Sequence, residues 1–148
     1  MIYDVIIIGA GPAGLFAAAN IENKKVLILE KNKTPGKKLL LSGAGQCNYT
    51  NNCDIDDFFE KYGDKGRFIK PALYNFTNQA TMDFFEKRGL KSIIREDNKV
   101  FPSSFKAMDV LKVLIGSVKD AKMLLNSGVE KVSYDESKKI FYVKTSAA

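Results

Sequence analysis

The feature that most constrains this chain is a glycine-rich turn between two short apolar runs near its start. Residues 3–8 read YDVIII, the segment GAGPAG follows at 9–14, and residues 15–22 have a helical composition. A second apolar run at 25–29 then ends on Glu30. The order strand, glycine turn, helix, strand and acid predicts a βαβ unit that binds a dinucleotide.

Each glycine of the turn has a distinct physical role in that prediction. We expect Gly9 to allow the tight turn out of the strand, and Gly11, without a Cβ, to let a pyrophosphate approach the backbone. Gly14 is expected to let the helix pack closely on the strands. Pro12 suits the first helical turn, where its missing N–H costs little, and the helix start offers unpaired N–H groups to an anion.

Glu30 follows Gly9 at the spacing of roughly 20 residues expected for an acid that binds a ribose. An acid there favours FAD or NAD over NADP, whereas Lys31 and Lys33 beside it weaken the exclusion of NADP. The alternative is a glycine turn with a purely structural role. Agreement of strand, helix and acid around the turn favours dinucleotide binding.

Composition excludes several kinds of site. The chain has no histidine, so His-based acid–base catalysis, a Ser-His-Asp triad and His-containing metal sites are ruled out. Its two cysteines, Cys47 and Cys53, are too few for a zinc site and favour a reduced, cytoplasmic setting. We expect no metal, no signal peptide and no membrane span.

The formal charge is +6, from 23 basic and 17 acidic residues. The excess is mostly lysine, spread along the chain without an array of aromatic residues between the lysines. This distribution favours a solvated surface over a nucleic-acid patch.

The rest of the chain predicts an α/β fold. We expect parallel strands over 3–8, 25–29 and 122–125, with a helix over about 105–118 as the crossover to the last strand. The remaining elements are expected to be helices over 54–62, 67–76 and 77–88, the last capped by Thr77 or Asn78, a hairpin over 91–96 and 99–101, and an antiparallel ribbon over 129–134 and 139–145. Two helices are expected to have an apolar face, the first at Ile55, Phe58, Phe59 and Tyr62 and the crossover helix at Phe105, Met108, Leu111, Leu114 or Ile115, and Val118. This is a Rossmann-like half with a helical insertion between 40 and 90 and a terminal β-ribbon.

The segment Ser42-Gly43-Ala44-Gly45 is expected to form an irregular loop, because glycines and small residues break both helical and strand periodicity. Polar residues follow it, up to Asn51. A small, polar loop beside apolar residues is typical of a binding loop. Within it, Cys47 is interpreted as a small packing residue rather than a redox group, since no partner lies at CxxC spacing.

These residues carry a family resemblance. GKKLLLSGAGQCNYTN at 36–51 resembles GRKLLISGGGRCNVTN, the second signature of the aminoacetone-oxidase-like (BaiN-type) FAD-dependent flavoproteins, and KVFPSSFKA at 99–107 resembles their GRVFPxSxKA stretch. The similarity covers nearly the whole chain. It implies a glutathione-reductase-type FAD domain, of which residues 1–148 are the N-terminal part, without the substrate domain and the C-terminal FAD segment.

The resemblance also implies which residues bind FAD. It assigns the pyrophosphate to Gly9, Gly11, Pro12, Ala13 and Gly14, the ribose to Glu30 with Lys31, the adenine side to Val129, and the flavin side to Lys37, Lys38, Ser42, Gly43, Ala44, Gly45, Gln46, Cys47, Asn48 and Thr50. Lys37, Ala44 and Gln46 depart from the usual Arg, Gly and Arg. Lysine lacks the planar fork of arginine, and Gln46 lacks its charge. These departures weaken the expectation that this chain shares the family's substrate more than they weaken the expectation of FAD binding.

The sequence therefore predicts two alternative functions. One is the FAD-binding part of a flavin-dependent oxidoreductase that acts on a small-molecule substrate in a longer protein, with its catalytic residues unknown. The other is an NAD- or ADP-ribose-binding module without redox chemistry. A third and weaker hypothesis, an RNA-modifying flavoprotein, rests only on the positive charge. Whether the chain alone is an enzyme stays open.

Overall fold

The computed structural model describes residues 1–146, which fold into two compact units. The first comprises Met1–Leu39 and the chain from Leu114 onward, and the second comprises Leu40–Val113. The strands are β1 (Val5–Ile8), β2 (Val26–Leu29), β3 (Thr50–Asn51), β4 (Ser92–Ile94), β5 (Lys99–Pro102), β6 (Ala121–Leu124), β7 (Val129–Asp135) and β8 (Ile140–Thr145). The α-helices are α1 (Pro12–Ala19), α2 (Ile55–Lys61), α3 (Gly66–Asn75), α4 (Asn78–Glu86) and α5 (Ala107–Ser117).

The first unit contains a parallel sheet of order β1-β2-β6. Val5 aligns with Val26, which in turn aligns with Ala121, so the carboxyl ends of the three strands lie at one edge. The central strand β2 is apolar throughout (VLIL) and buried at every residue, as expected for a strand covered on both faces. The three predicted parallel strands are therefore confirmed.

A two-stranded antiparallel ribbon of β7 and β8 completes the first unit, also as predicted. Its register shifts between Val129 and Lys131, so the pairing is irregular at the start of β7.

The second unit has a small antiparallel sheet of order β3-β5-β4 together with α2, α3 and α4. The hairpin of β4 and β5 is confirmed, whereas β3 was not predicted. Two residues carry no recognisable periodicity, and β3 exists because Thr50 and Asn51 pair with Val100 and Lys99. Thr77 caps α4 as expected, by accepting from the N–H of Ala80 at 3.1 Å.

Two expectations about apolar helix faces were wrong in part. The apolar residues Ile55, Phe58 and Phe59 of α2 form its less exposed side but are only half-buried, and Tyr62 beyond the helix is 42% exposed. Phe105 lies before α5 with a φ of +51°, because its N–H donates to the carbonyl oxygen of Pro102 in a tight turn. The buried side of α5 is formed by Ala107, Val110, Leu111 and Leu114, whereas Met108, expected on that side, is 46% exposed.

Candidate functional site

The glycine turn lies between the end of β1 and the start of α1. Gly9 has a φ of +101°, a conformation that glycine adopts readily, and its N–H donates to the carbonyl oxygen of Leu29 at 2.8 Å. The first intrahelical bond of α1 runs from the N–H of Leu15 to the carbonyl oxygen of Gly11 at 2.9 Å. The N–H groups of Ala13 and Gly14 therefore belong to the helix start, where backbone donors suit an anion.

Gly14 and Gly11 differ in their surroundings. A Cβ on Gly14 would lie 2.1 Å from the carbonyl oxygen of Gly9 and 3.1 Å from Cγ2 of Ile7, so close packing of α1 against β1 requires glycine there. A Cβ on Gly11 would meet nothing within 4 Å. Gly14 therefore serves the fold, whereas the backbone at Gly11 is open on the side where a Cβ would project.

Glu30, directly after β2, is buried and hydrogen-bonded to the glycine turn and to Asn32. Its Oε2 accepts from the N–H of Ala10 at 2.8 Å, and its Oε1 accepts from the N–H and the Nδ2 of Asn32 at 2.8 and 2.6 Å. Burial raises the pKa of Glu30, but the hydrogen bonds from Asn32 and Ala10 and the charge of Lys31 outweigh it and hold that pKa below its usual value. A carboxylate therefore lies directly beside the start of α1.

The loop after Glu30 is tied back to the same turn. The N–H of Gly36, which is buried with a φ of +70°, donates to the carbonyl oxygen of Ala10 at 2.9 Å. The predicted cations of this loop, Lys31, Lys37 and Lys38, are exposed. A short loop with exposed positive charge therefore flanks the helix start.

Val129 opens β7 and pairs with Thr145. The preceding Gly128 donates its N–H to Oγ of Ser146 at 3.1 Å, and a Cβ built on Gly128 would lie 3.5 Å from Cβ of Lys31. The first unit thus brings the start of β7 close to the segment that follows Glu30.

The second unit holds the other predicted residues in a kinked loop. Residues Leu39–Gly45 form a 3₁₀ helix interrupted by non-helical backbone at Ser42, Gly43 and Ala44. Positive φ angles of 55°, 53°, 86° and 62° occur at Gly43, Ala44, Gly45 and Cys47. The irregular loop predicted for residues 42–45 is confirmed, and all four residues lie within this interrupted 3₁₀ helix.

Backbone hydrogen bonds close this loop on itself. The N–H of Gln46 donates to the carbonyl oxygen of Gly43, and that of Cys47 to the carbonyl oxygen of Ser42, both at 3.0 Å. A Cβ on Gly43 would lie 3.0 Å from the backbone nitrogen of Asn48. Thr50, in β3, anchors the end of the loop by pairing with Val100.

Cys47 is a buried thiol, with 1% of its surface exposed. Burial raises its pKa, and a hydrogen bond with the Ser42 side chain only partly opposes that effect. Both Cys47 and Cys53 are free thiols. The thiol of Cys47 is therefore protonated at neutral pH, which fits the packing role expected for it and disfavours a nucleophile.

The predicted site residues form two groups, one in each unit. The group in the first unit is Gly9, Gly11, Pro12, Ala13, Gly14, Glu30, Lys31, Lys37, Lys38 and Val129; the group in the second is Ser42, Gly43, Ala44, Gly45, Gln46, Cys47, Asn48 and Thr50. Sequence reasoning missed Asn32 and Gly36. An amide two residues after an acid signals a local side-chain hydrogen bond only once the turn is known.

Residues 1–146 contain neither a cluster of metal ligands nor a helix that could span a membrane. No group of three or more acidic or cysteine side chains in this range could hold a metal ion. None of the helices in the same range has the length and apolar character needed to cross a membrane.

Curated relatives resemble the chain over part of their length. It is 31% identical over 142 residues to the 3-dehydro-bile acid delta(4,6)-reductase of Clostridium scindens, which covers 93% of this chain and 34% of that protein. It is 39% identical over 90 residues to the ribosomal RNA dihydrouridine synthase of Escherichia coli, covering 60% of this chain and 22% of that protein. The chain thus spans about a third or less of the length of these relatives.

Solved structures share the fold at low sequence identity. Thermovibrio ammonificans THI4 superposes with a TM-score of 0.61 at 14% identity, over 95% of this chain and 45% of that chain. OTEMO in complex with FAD and NADP superposes with a TM-score of 0.55 at 17% identity, over 99% of this chain and 23% of that chain. The family model described as the HI0933-like protein Rossmann domain matches residues 3–148. The chain belongs to the HI0933-like Rossmann domain family.

Proposed function

We propose that this chain is the FAD-binding part of a flavin-dependent oxidoreductase. The observation that carries the proposal is the Glu30 carboxylate, held 2.8 Å from the Ala10 N–H beside the donors at the start of α1. The Glu30 carboxylate can accept from a ribose hydroxyl, and the N–H groups at the start of α1 can bind a pyrophosphate. The two lie side by side, as the adenosine diphosphate half of FAD needs. The open backbone at Gly11 is compatible with that ligand.

The loop over residues 42–48 favours FAD over the alternative, an NAD- or ADP-ribose-binding module. A glycine turn and an acid suffice for the adenosine half of either cofactor. The left-handed loop, with its small residues and with Asn48 exposed beside it, is an additional surface that a flavin ring could use. When bound, the flavin supplies hydride or electron transfer, and the protein binds and orients it.

Residues 1–148 are proposed to form part of one FAD-binding domain, with the substrate domain and the C-terminal FAD segment of the resembling family lying outside them. The proposed location is the cytoplasm, on the basis of the two free cysteines.

For the whole protein, the names of the relatives suggest a reaction class. A dihydrouridine synthase and a delta(4,6)-reductase both add hydrogen across carbon–carbon double bonds, in one case in a nucleoside of ribosomal RNA and in the other in a bile acid. We extend the proposal to reduction of a double bond conjugated with a carbonyl group. We keep the prediction that the substrate is a small molecule. Strong, salt-dependent binding of an rRNA fragment would refute that prediction and indicate an RNA substrate instead.

The test of the cofactor is FAD binding by the purified chain, measured from the visible absorption and fluorescence of the flavin. Gly11→Ala is expected to lower the affinity for FAD by about tenfold or more, because the added methyl group would lie where the pyrophosphate approaches the backbone. The matched control is Gly116→Ala, since Gly116 is also a site where a Cβ meets nothing within 4 Å. This control should bind FAD as the wild type does.

A second variant separates FAD from the alternative. Asn48→Ala should change the affinity or the spectrum of bound FAD while the affinity for ADP stays the same. A folded chain that binds ADP or NAD but no FAD would support the alternative and reject the flavin proposal. A folded chain that binds none of these ligands would reject both.

A further inference from the structure

The hydrogen bonds around Glu30 limit how its carboxylate can bind a ligand. Each carboxylate oxygen offers two lone-pair sites. Oε1 accepts from both the backbone N–H and the side-chain amide of Asn32, at 2.8 and 2.6 Å, so both of its sites are used. Oε2 accepts from the N–H of Ala10 at 2.8 Å, and no other donor among residues 1–146 reaches it, which leaves it one site.

The backbone fixes both partners of this arrangement. The N–H of Glu30 donates to the carbonyl oxygen of Leu124 at 2.9 Å, and the carbonyl oxygen of Glu30 accepts from the N–H of Ser127 at 2.8 Å. The carbonyl oxygen of Asn32 accepts from the N–H of Asn126 at 3.1 Å. Glu30 is 6% exposed, so its carboxylate has little freedom to choose another rotamer.

We propose that Asn32 is a positioning residue that occupies Oε1 of Glu30 and so leaves a single acceptor, on Oε2, for one ribose hydroxyl. The site then distinguishes the two hydroxyls of an adenosine ribose, because only one of them reaches a charged acceptor. This inference rests on the proposed binding of the adenosine half of FAD.

The test uses the full chain and three ligands, namely ADP, 2′-deoxy-ADP and 3′-deoxy-ADP, with affinities from calorimetry. In the wild type, one of the deoxy analogues should bind about tenfold more weakly than ADP, since a hydrogen bond to a charged group is lost. The other analogue should bind within about twofold of ADP. This comparison needs no variant.

The role of Asn32 is tested with Asn32→Ala, which removes the amide, and with the isosteric Asn32→Asp, which replaces the donor by a second carboxylate. In both, the tenfold preference for one hydroxyl should fall to about twofold or less. Lys33→Gln is the control for Asn32→Asp, because it changes the net charge equally at an exposed neighbouring position. It should keep the wild-type preference.

Several results would overturn the inference. If the wild type binds ADP but loses affinity equally with both analogues, or with neither, the single-acceptor geometry is wrong, although the nucleotide site stands. If both Asn32 variants, folded by circular dichroism, keep the wild-type preference while all three affinities fall together, Asn32 is merely structural. If the folded wild type does not bind ADP, the proposed function fails together with the inference.

Discussion

Gly14→Ala provides the most direct test of how this fold is built. A Cβ at residue 14 would approach the carbonyl oxygen of Gly9 to 2.1 Å, about 0.9 Å inside the 3.0 Å limit that Cβ atoms respect. The obstacle is backbone, so α1 has to move away from β1. Overpacking of this kind costs about 3 kcal/mol, and replacing glycine by alanine in a helix returns about 1 kcal/mol. The net loss of unfolding free energy is therefore about 2 kcal/mol.

Urea unfolding followed by circular dichroism measures this loss. With a slope of about 2 kcal/mol per molar urea, the midpoint should fall by about 1 M. Gly116→Ala in α5 is the matched control, because no atom lies within 4 Å of the added Cβ, and it should raise the unfolding free energy by up to about 1 kcal/mol. A Gly14→Ala variant as stable as the wild type, or a control that loses as much stability, would show that Gly14 is not needed for the packing of α1 on β1.

Three further predictions concern Glu30 and the kinked loop. Glu30→Gln should lower the unfolding free energy by about 1–3 kcal/mol at neutral pH. Because the pKa of Glu30 is lowered in the folded chain, this difference from the wild type should persist above about pH 4.3 and shrink as the pH falls through the folded pKa. A difference that does not change with pH in urea titrations would contradict this prediction. Ala44→Gly should stabilise the chain by about 0.5 kcal/mol, because relief of the strained left-handed backbone at φ +53° outweighs the greater entropy of glycine in the unfolded state. A lower urea midpoint for this variant would argue against strain at Ala44. Cys47 should react with a thiol reagent much more slowly than the partly exposed Cys53, so the reaction should have a fast and a slow phase. Cys53→Ser should remove the fast phase. A fast phase that survives in this variant would show that Cys47 is accessible.

The parallel strands could be predicted because the decisive signals are local. The buried run VLIL of β2, the glycine turn before α1 and the acid after β2 each act within a few residues of their position in the chain. The same holds for the hairpin of β4 and β5 and for the ribbon.

Features that depend on distant partners could not be predicted. The two residues of β3 become a strand only by pairing with β5, which lies about fifty residues later. Asn32 becomes important only because the backbone around Asn126 and Ser127 fixes the turn in which its amide reaches Glu30. The incomplete burial of Ile55, Phe58 and Phe59 in α2 likewise follows from packing, which periodicity does not report.

The glycines of the turn show why the motif alone is weak evidence for a dinucleotide. Gly14 is required by the contact of α1 with β1, so any fold with this strand-to-helix approach would need it whether or not a ligand binds. Gly9 is likewise explained by its positive φ. Gly11 has neither constraint, and a buried carboxylate at Glu30 is a costly residue unless hydrogen bonds compensate for its burial. Nucleotide binding is therefore indicated by Gly11 and Glu30, and of these two residues Gly11 is the one whose variants separate binding from folding.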